Sequence, residues 1–78
     1  MKEKLQEVFR TVFSDQELMI TESTTADDIP MWDSLTHLEL IATIEEAFLI
    51  RFSFDEVMKF QTVGDMLRSL ELKSGAGN

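Results

Sequence analysis

Residues 32–48 read WDSLTHLELIATIEEAF and form the longest stretch with a helical pattern in this 78-residue chain. Apolar residues recur there at the three- and four-residue spacing of an amphipathic helix, which predicts a helix from about Ser34 to Phe48. The predicted core face consists of four side chains: Leu38, Ile41, Ile44 and Phe48. Leu35 and Leu40 widen this apolar arc, which predicts that the helix is buried against several neighbours.

Two side chains at the start of this helix could cap it, Asp33 and Ser34. Either could accept hydrogen bonds from backbone N–H groups of the first turn, which stabilises a helix by ~1 kcal/mol. Asp33 is the better cap, so the Ser34 hydroxyl is expected to point outward and to be free to react. A helix N-terminus carries partial positive charge and unpaired N–H groups, so a phosphodiester on Ser34 would find a favourable field.

Three further helices are predicted from local patterns. The first is predicted by apolar residues at helical spacing: Leu5, Val8, Phe9, Val12 and Phe13. It should end near Ser14. Ser53 and Thr62 each begin a capping box, which predicts a short helix to about Lys59 and a further helix to about Leu72. The predicted fold is all-α, a small bundle of three longer helices and one short helix.

The segment between the first two helices, up to Met31, has no periodic pattern and is rich in Ser, Thr and Asp. Such a long loop in a small domain is often functional. Its scattered apolar residues, such as Leu18, Ile20 and Ile29, are expected to hold it on the bundle, so an ordered loop is predicted. Residues 1–73 are predicted to form a single helical domain, and residues 74–78 a flexible C-terminal tail.

The chain is strongly acidic, with 15 Asp and Glu against 7 Lys and Arg and a formal net charge of −8. No Lys or Arg lies between Thr11 and Ile50. This charge repels the phosphates of nucleic acids and anionic lipid head groups, so neither nucleic acid nor membrane insertion is expected. Basic protein surfaces are the expected partners, and plain solubility is the alternative interpretation.

Several other classes of function are disfavoured. The chain has no cysteine, which excludes a disulfide scaffold and a thiol nucleophile. It shows neither a signal peptide nor a membrane span, so the cytoplasm is the expected location. Ser34 and His37 share a helix face, but no oxyanion loop accompanies them, so an enzyme is not expected. Asp27, Asp28 and Asp33 lack calcium-loop spacing and a lone His cannot hold zinc, so no metal site is expected.

The motif DSL at residues 33–35, followed by IEEAF at residues 44–48, resembles the acyl carrier proteins and the related peptidyl carriers. The resemblance extends from residue 5 to about residue 72. It implies that Ser34, between its motif neighbours Asp33 and Leu35, carries 4′-phosphopantetheine transferred from coenzyme A by a phosphopantetheinyl transferase. Acyl or aminoacyl groups would then be carried as thioesters on the arm, because the chain has no sulfhydryl of its own.

The same resemblance implies an acidic docking surface made of Glu39, Glu45 and Glu46. These carboxylates are expected to meet Arg and Lys on the transferase and on acyl-loading and acyl-consuming enzymes, which raises the association rate more than the affinity. A solvated face without partners is the alternative interpretation. The carrier is expected to be a monomer. The alternative function is an unmodified helical adaptor of the same fold that only mediates protein contacts.

The chain also departs from the fatty-acid type of carrier, at Trp32, His37, Ala42 and residues 52–54. These departures favour a stand-alone carrier in a specialised lipid, polyketide-like, peptide-like or envelope-polymer pathway. Trp32 is expected either to anchor the loop on the bundle or to border the pantetheine arm. An apolar shelter for the acyl group is expected along four side chains: Phe9, Leu38, Ile41 and Phe48.

Overall fold

The computed structural model describes residues 2–75 of the chain. Four α-helices follow one another: α1 (Lys2–Val12), α2 (Ser34–Phe48), α3 (Phe54–Lys59) and α4 (Val63–Leu70). A 3₁₀ turn, Ala26–Asp28, lies in the loop between α1 and α2, and a π-helical turn, Glu71–Gly75, continues α4. The predicted all-α bundle is confirmed. Of the predicted C-terminal tail, residues 76–78 lie outside the described residues.

The core is built from α1, α2 and α4. Its largest fully buried side chains are Phe9, Leu5, Leu40, Ile44, Met66, Leu70 and Val63. Full burial of such a side chain stabilises the fold by roughly 1.5–3 kcal/mol, so these seven residues are the main source of stability.

None of the helices found in residues 2–75 is both long and apolar enough to span a membrane.

Two leucines of α2 contradict the predicted buried arc. Leu35 and Leu38 are 70% and 62% exposed, whereas Leu40 and Ile41 are buried. Leu38 and Leu40 are two residues apart and therefore lie about 200° apart around the helix, so both cannot face one core. Burial of α2 is one-sided, and the helix presents apolar side chains to solvent close to its start.

The long loop between α1 and α2 is ordered, as predicted. Gln6 on α1 accepts a hydrogen bond at Oε1 from the backbone N–H of Ile20, at 3.0 Å. The Nε of Arg10 donates to the carbonyl of Leu18 at 2.8 Å. Ile20 and Ile29 are buried in the core. Side chains of α1 therefore fix the path of the loop, which positions the residues just before α2.

The loop is also joined to the start of α4. The N–H groups of Val63 and Gly64 donate to the carbonyls of Thr24 and Glu22, both at 2.9 Å. A Cβ atom at position 64 would lie 2.9 Å from the Glu22 carbonyl oxygen, closer than side chains tolerate. Gly64 is therefore required by this close approach of two backbone segments.

Helix α3 is attached to the C-terminal turn through Glu56. This carboxylate accepts hydrogen bonds from Ser53 N at 2.7 Å and from Ser69 Oγ at 3.1 Å, and pairs with Lys73 Nζ at 3.0 Å. The backbone hydrogen bond from Ser53, reinforced by Lys73, lowers the pKa of Glu56 from 4.5 to about 2. The ionised carboxylate is thus part of the folded state.

We expect acid to remove this contribution of Glu56. Because its pKa is lower in the folded state, the stabilisation is complete above pH 4.5 and is lost as the pH falls toward about 2. Glu56→Gln should lower the free energy of unfolding at neutral pH by about 1 kcal/mol and flatten its dependence on pH in that window. Urea unfolding across the window measures this, with Asp55→Asn, an exposed acid of the same turn, as the control. An unchanged pH slope in Glu56→Gln would contradict the assignment.

Candidate functional site

Ser34 is the first residue of α2, and its side chain is exposed. The predicted cap at Asp33 is confirmed: its Oδ1 accepts a hydrogen bond from Thr36 N at 3.0 Å, and Asp33 N donates to Thr36 Oγ1 at 2.8 Å. Within residues 2–75 the Ser34 hydroxyl has no hydrogen-bond partner. Asp33 and Thr36 form the cap, so the Ser34 hydroxyl oxygen remains available at the N-terminus of the helix.

The cap is itself held in place. Thr36 Oγ1 donates to the carbonyl of Met31 at 2.7 Å, so one hydroxyl joins the first turn of α2 to the end of the loop. The hydrogen bond from the backbone N–H of Thr36 lowers the pKa of Asp33 below its usual 3.8. Asp33 is therefore a carboxylate at neutral pH, and Ser34 sits on a fixed backbone.

Trp32 anchors the loop immediately before the site. Its indole is only 8% exposed. The ring packs edge-on against Phe9, with centroids 5.4 Å apart, and its centroid lies 6.2 Å from that of the Phe13 ring. Its Nε1–H donates to His37 Nδ1 at 3.0 Å. The expected anchoring role is confirmed. The same indole also lines the groove beside Ser34.

Both ring nitrogens of His37 are engaged. Nδ1 accepts from Trp32, and Nε2 lies 3.3 Å from the carbonyl oxygen of Val57 on α3. This arrangement assigns the neutral tautomer with its proton on Nε2, because Nδ1 has to be an acceptor and a carbonyl cannot donate. His37 is therefore not placed to take a proton from Ser34. Nor does the described part of the chain contain a cluster of three His, Asp or Glu residues that could hold a metal ion.

An open groove of about 700 Å³ lies beside Ser34, between α2 and α3. Its inner surface is formed by buried and half-buried side chains: Trp32, His37, Ile41, Phe52, Val57 and Phe60. Its rim carries three exposed apolar side chains, Leu38, Phe54 and Met58. The site thus combines a free hydroxyl with an adjoining apolar surface.

Of the four predicted shelter residues, Leu38 and Ile41 line the groove. Phe9 is fully buried in the core and does not line it. Phe48 is half-buried and lies outside this groove. The α3 wall of the groove was not predicted from the sequence. Phe54, Val57 and Met58 follow one another at i, i+3 and i+4, and this spacing is the signal that could have identified a shared face.

The three predicted docking acids differ in environment. Glu39 and Glu46 are exposed, and in the described part of the chain neither forms an ion pair. They lie seven residues apart on α2, which places them two turns apart on one side of the helix. Glu45 is half-buried and accepts a hydrogen bond from Phe52 N at 2.8 Å, so it holds the connection to α3. Of the three, Glu39 and Glu46 are therefore the more accessible to a partner.

Comparison with known proteins agrees with the geometry. A family model described as a phosphopantetheine attachment site matches residues 3–70. The chain is 40% identical over 72 residues to an acyl carrier protein of Desulforapulum autotrophicum, covering 92% of this chain and 84% of that protein. It is 36% identical over 72 residues to an acyl carrier protein of Streptococcus pyogenes serotype M1, covering 92% and 93%.

A solved structure is similar as well. The solution NMR structure of the holo acyl carrier protein from Geobacter metallireducens matches with a TM-score of 0.89 and 36% sequence identity, over 96% of this chain and 86% of that chain. Fold, site geometry and sequence similarity lead to one assignment. The chain belongs to the acyl carrier proteins, non-enzymatic carriers of acyl groups on a 4′-phosphopantetheine prosthetic group.

Proposed function

We propose that Ser34 carries the 4′-phosphopantetheine group and that the protein presents acyl or aminoacyl groups to partner enzymes from this position. The observation that supports this most is the exposed Ser34 hydroxyl at the first position of α2, with the capping done by Asp33. The prosthetic group supplies a terminal thiol that holds acyl groups as thioesters. This chain has no cysteine and therefore no such sulfur of its own.

The residues around Ser34 fit a phosphodiester followed by a long arm. Attachment at the first position of a 15-residue helix places the phosphate at the positive end of the helix dipole. The Asp33 carboxylate faces the N–H of Thr36, so its charge is already partly satisfied. The adjoining groove offers apolar surface, and the exposed side chain of Leu35 offers a contact to an enzyme that approaches Ser34.

The pathway we propose is a specialised one, served by a stand-alone, monomeric carrier. Its support is the hydrogen-bonded pair of Trp32 and His37, two positions at which the chain departs from the fatty-acid type of carrier. The pair lies in the wall of the groove beside Ser34, where it would contact an acyl group. The partners are a phosphopantetheinyl transferase and the enzymes that load and consume the acyl group.

A direct experiment tests attachment. The purified protein is incubated with coenzyme A, Mg²⁺ and a broad-specificity phosphopantetheinyl transferase, and its intact mass is measured. We expect the mass of one phosphopantetheine to be added. A maleimide dye should then label the protein, and this labelling reports only the arm because the chain has no cysteine. An unchanged mass would favour the unmodified adaptor.

The docking surface leads to a further expected result. Glu39→Lys combined with Glu46→Lys should slow phosphopantetheine transfer by about tenfold at low ionic strength, since each exposed charge pair contributes up to ~1 kcal/mol. Both side chains are exposed, so the helical circular dichroism spectrum should not change. The rate is measured as a function of salt, with Glu3→Lys and Glu17→Lys, exposed acids outside α2, as the control. Equal rates for the two double variants would remove Glu39 and Glu46 from the interface.

A further inference from the structure

The groove beside Ser34 is crossed on its inner side by a hydrogen bond. His37 belongs to α2 and Val57 to α3, and both residues line the groove. His37 Nε2 lies 3.3 Å from the Val57 carbonyl oxygen, and this ring is held in place by the hydrogen bond from Trp32 Nε1 to Nδ1. The Trp32 and His37 rings are also stacked, 19° from parallel with centroids 6.0 Å apart. This Trp32–His37–Val57 chain ties α3 to α2.

The hydrogen bond between His37 and Val57, which ties α3 to α2, limits the depth of the groove. Ile41, which lines it one turn beyond His37, is only 6% exposed, and Leu40 and Ile44 are fully buried. An acyl group that passed between α2 and α3 at this point would have to separate His37 from Val57. That separation would leave an N–H and a carbonyl unpaired against apolar side chains, which is unfavourable. The low-energy position of an acyl group is therefore along the surface of the groove.

The length of this surface is also limited. From Ser34 to Ile41 the chain advances seven residues along α2, which is about 10 Å. The extended arm is longer than this stretch, so it has to fold back, and its thioester end shares the surface with the acyl group. Methylenes that reach beyond the groove remain in water and gain nothing from burial. The length available along α2 therefore suits a compact acyl group.

We propose that the Trp32–His37–Val57 chain sets an upper limit on the acyl group that this carrier shelters, and that its cargo is a short acyl group. The inference rests on the proposed attachment at Ser34. His37 acts here as a positioning residue, because it closes the groove by holding α3 and takes no part in bond making. Trp32 supports it by fixing the orientation of the imidazole ring.

The test uses a series of acyl forms of the intact protein. A broad-specificity phosphopantetheinyl transferase transfers the whole arm from acetyl-, butyryl-, hexanoyl-, octanoyl- and decanoyl-coenzyme A, and intact mass confirms each product. Each methylene that enters an apolar groove favours the sheltered state roughly fourfold. We therefore expect the thermal unfolding midpoint to rise from acetyl to butyryl and to stay level from hexanoyl to decanoyl. A midpoint that keeps rising through decanoyl in the wild type would overturn the proposal.

Variants at position 37 show whether the His37–Val57 hydrogen bond, rather than another feature of the groove, causes the plateau in the unfolding midpoint. His37→Val removes the bond to Val57, so the midpoint should now rise as far as octanoyl. His37→Gln restores a donor to the Val57 carbonyl and should restore the plateau. An identical plateau in His37→Val would overturn the role of the tie. Failure of every acyl form to attach would instead refute Ser34 as the attachment residue.

Discussion

Ser34→Ala is expected to abolish phosphopantetheine attachment: the intact mass should not change and the maleimide dye should not label the protein. Alanine has no oxygen to form the phosphodiester. The fold should be unaffected, because the Ser34 side chain is exposed and the helix is capped by Asp33. A surface change of this kind alters the free energy of unfolding by no more than about 0.5 kcal/mol. Mass spectrometry and thermal unfolding of the same sample measure both effects.

Two control variants make this result specific. Ser23→Ala removes another exposed serine in the loop before α2 and should be modified at the wild-type rate. Ser34→Thr keeps a hydroxyl but adds a methyl group at a stiffer side chain, so slower attachment is expected. Continued attachment to Ser34→Ala would place the arm on a different hydroxyl and would contradict the proposed site.

The helices of this protein are predictable because their signals are local. Asp33, Ser53 and Thr62 each accept a hydrogen bond from an N–H three residues along the chain, and each begins a helix at the predicted position. Apolar spacing identifies Leu5 and Phe9 as core residues for the same reason. A capping box or an amphipathic turn needs nothing from the rest of the fold, so sequence alone is sufficient to recognise it.

The end of α2 could not be predicted from local sequence signals. Leu49 adopts a left-handed conformation, with φ 57° and ψ 49°, which a leucine enters only at a cost of roughly 1–2 kcal/mol. This turn brings Phe52 back toward the helix, where its N–H reaches the Glu45 carboxylate. Glu45, which the sequence predicted to be a docking residue, therefore also has a structural role. No glycine marks the turn, so the sequence carries no signal for it.

The groove could not be predicted for a related reason. Its α3 wall is placed by contacts between residues far apart in the chain, His37 with Val57 and Glu56 with Ser69. Periodicity assigns Leu38 to an apolar face but cannot show that α3, with only six residues, leaves it exposed. The attachment residue is thus recognisable from sequence, whereas the surface that would select the cargo depends on tertiary packing.

Trp32→Ala is expected to cause the largest loss of stability among the residues near the site. The indole is buried, contacts the rings of Phe9 and Phe13, and donates to His37 Nδ1. Truncation of a buried Trp to Ala typically lowers the free energy of unfolding by about 3–5 kcal/mol, and a small domain has only about 5–15 kcal/mol in total. Urea unfolding at neutral pH measures the loss.

Trp32→Phe separates packing from hydrogen bonding at this position. Phenylalanine keeps an aromatic ring against Phe9 but cannot donate to His37, so we expect a smaller loss of about 1–2 kcal/mol. Trp32→Ala should also slow phosphopantetheine transfer, because the loop would no longer hold the backbone before Ser34 in one position, whereas Trp32→Phe should stay close to the wild-type rate. A Trp32→Ala protein within about 1 kcal/mol of the wild type would show that the other contacts of the loop, such as buried Ile20 and Ile29, hold it without the indole, and would contradict the anchoring role of Trp32.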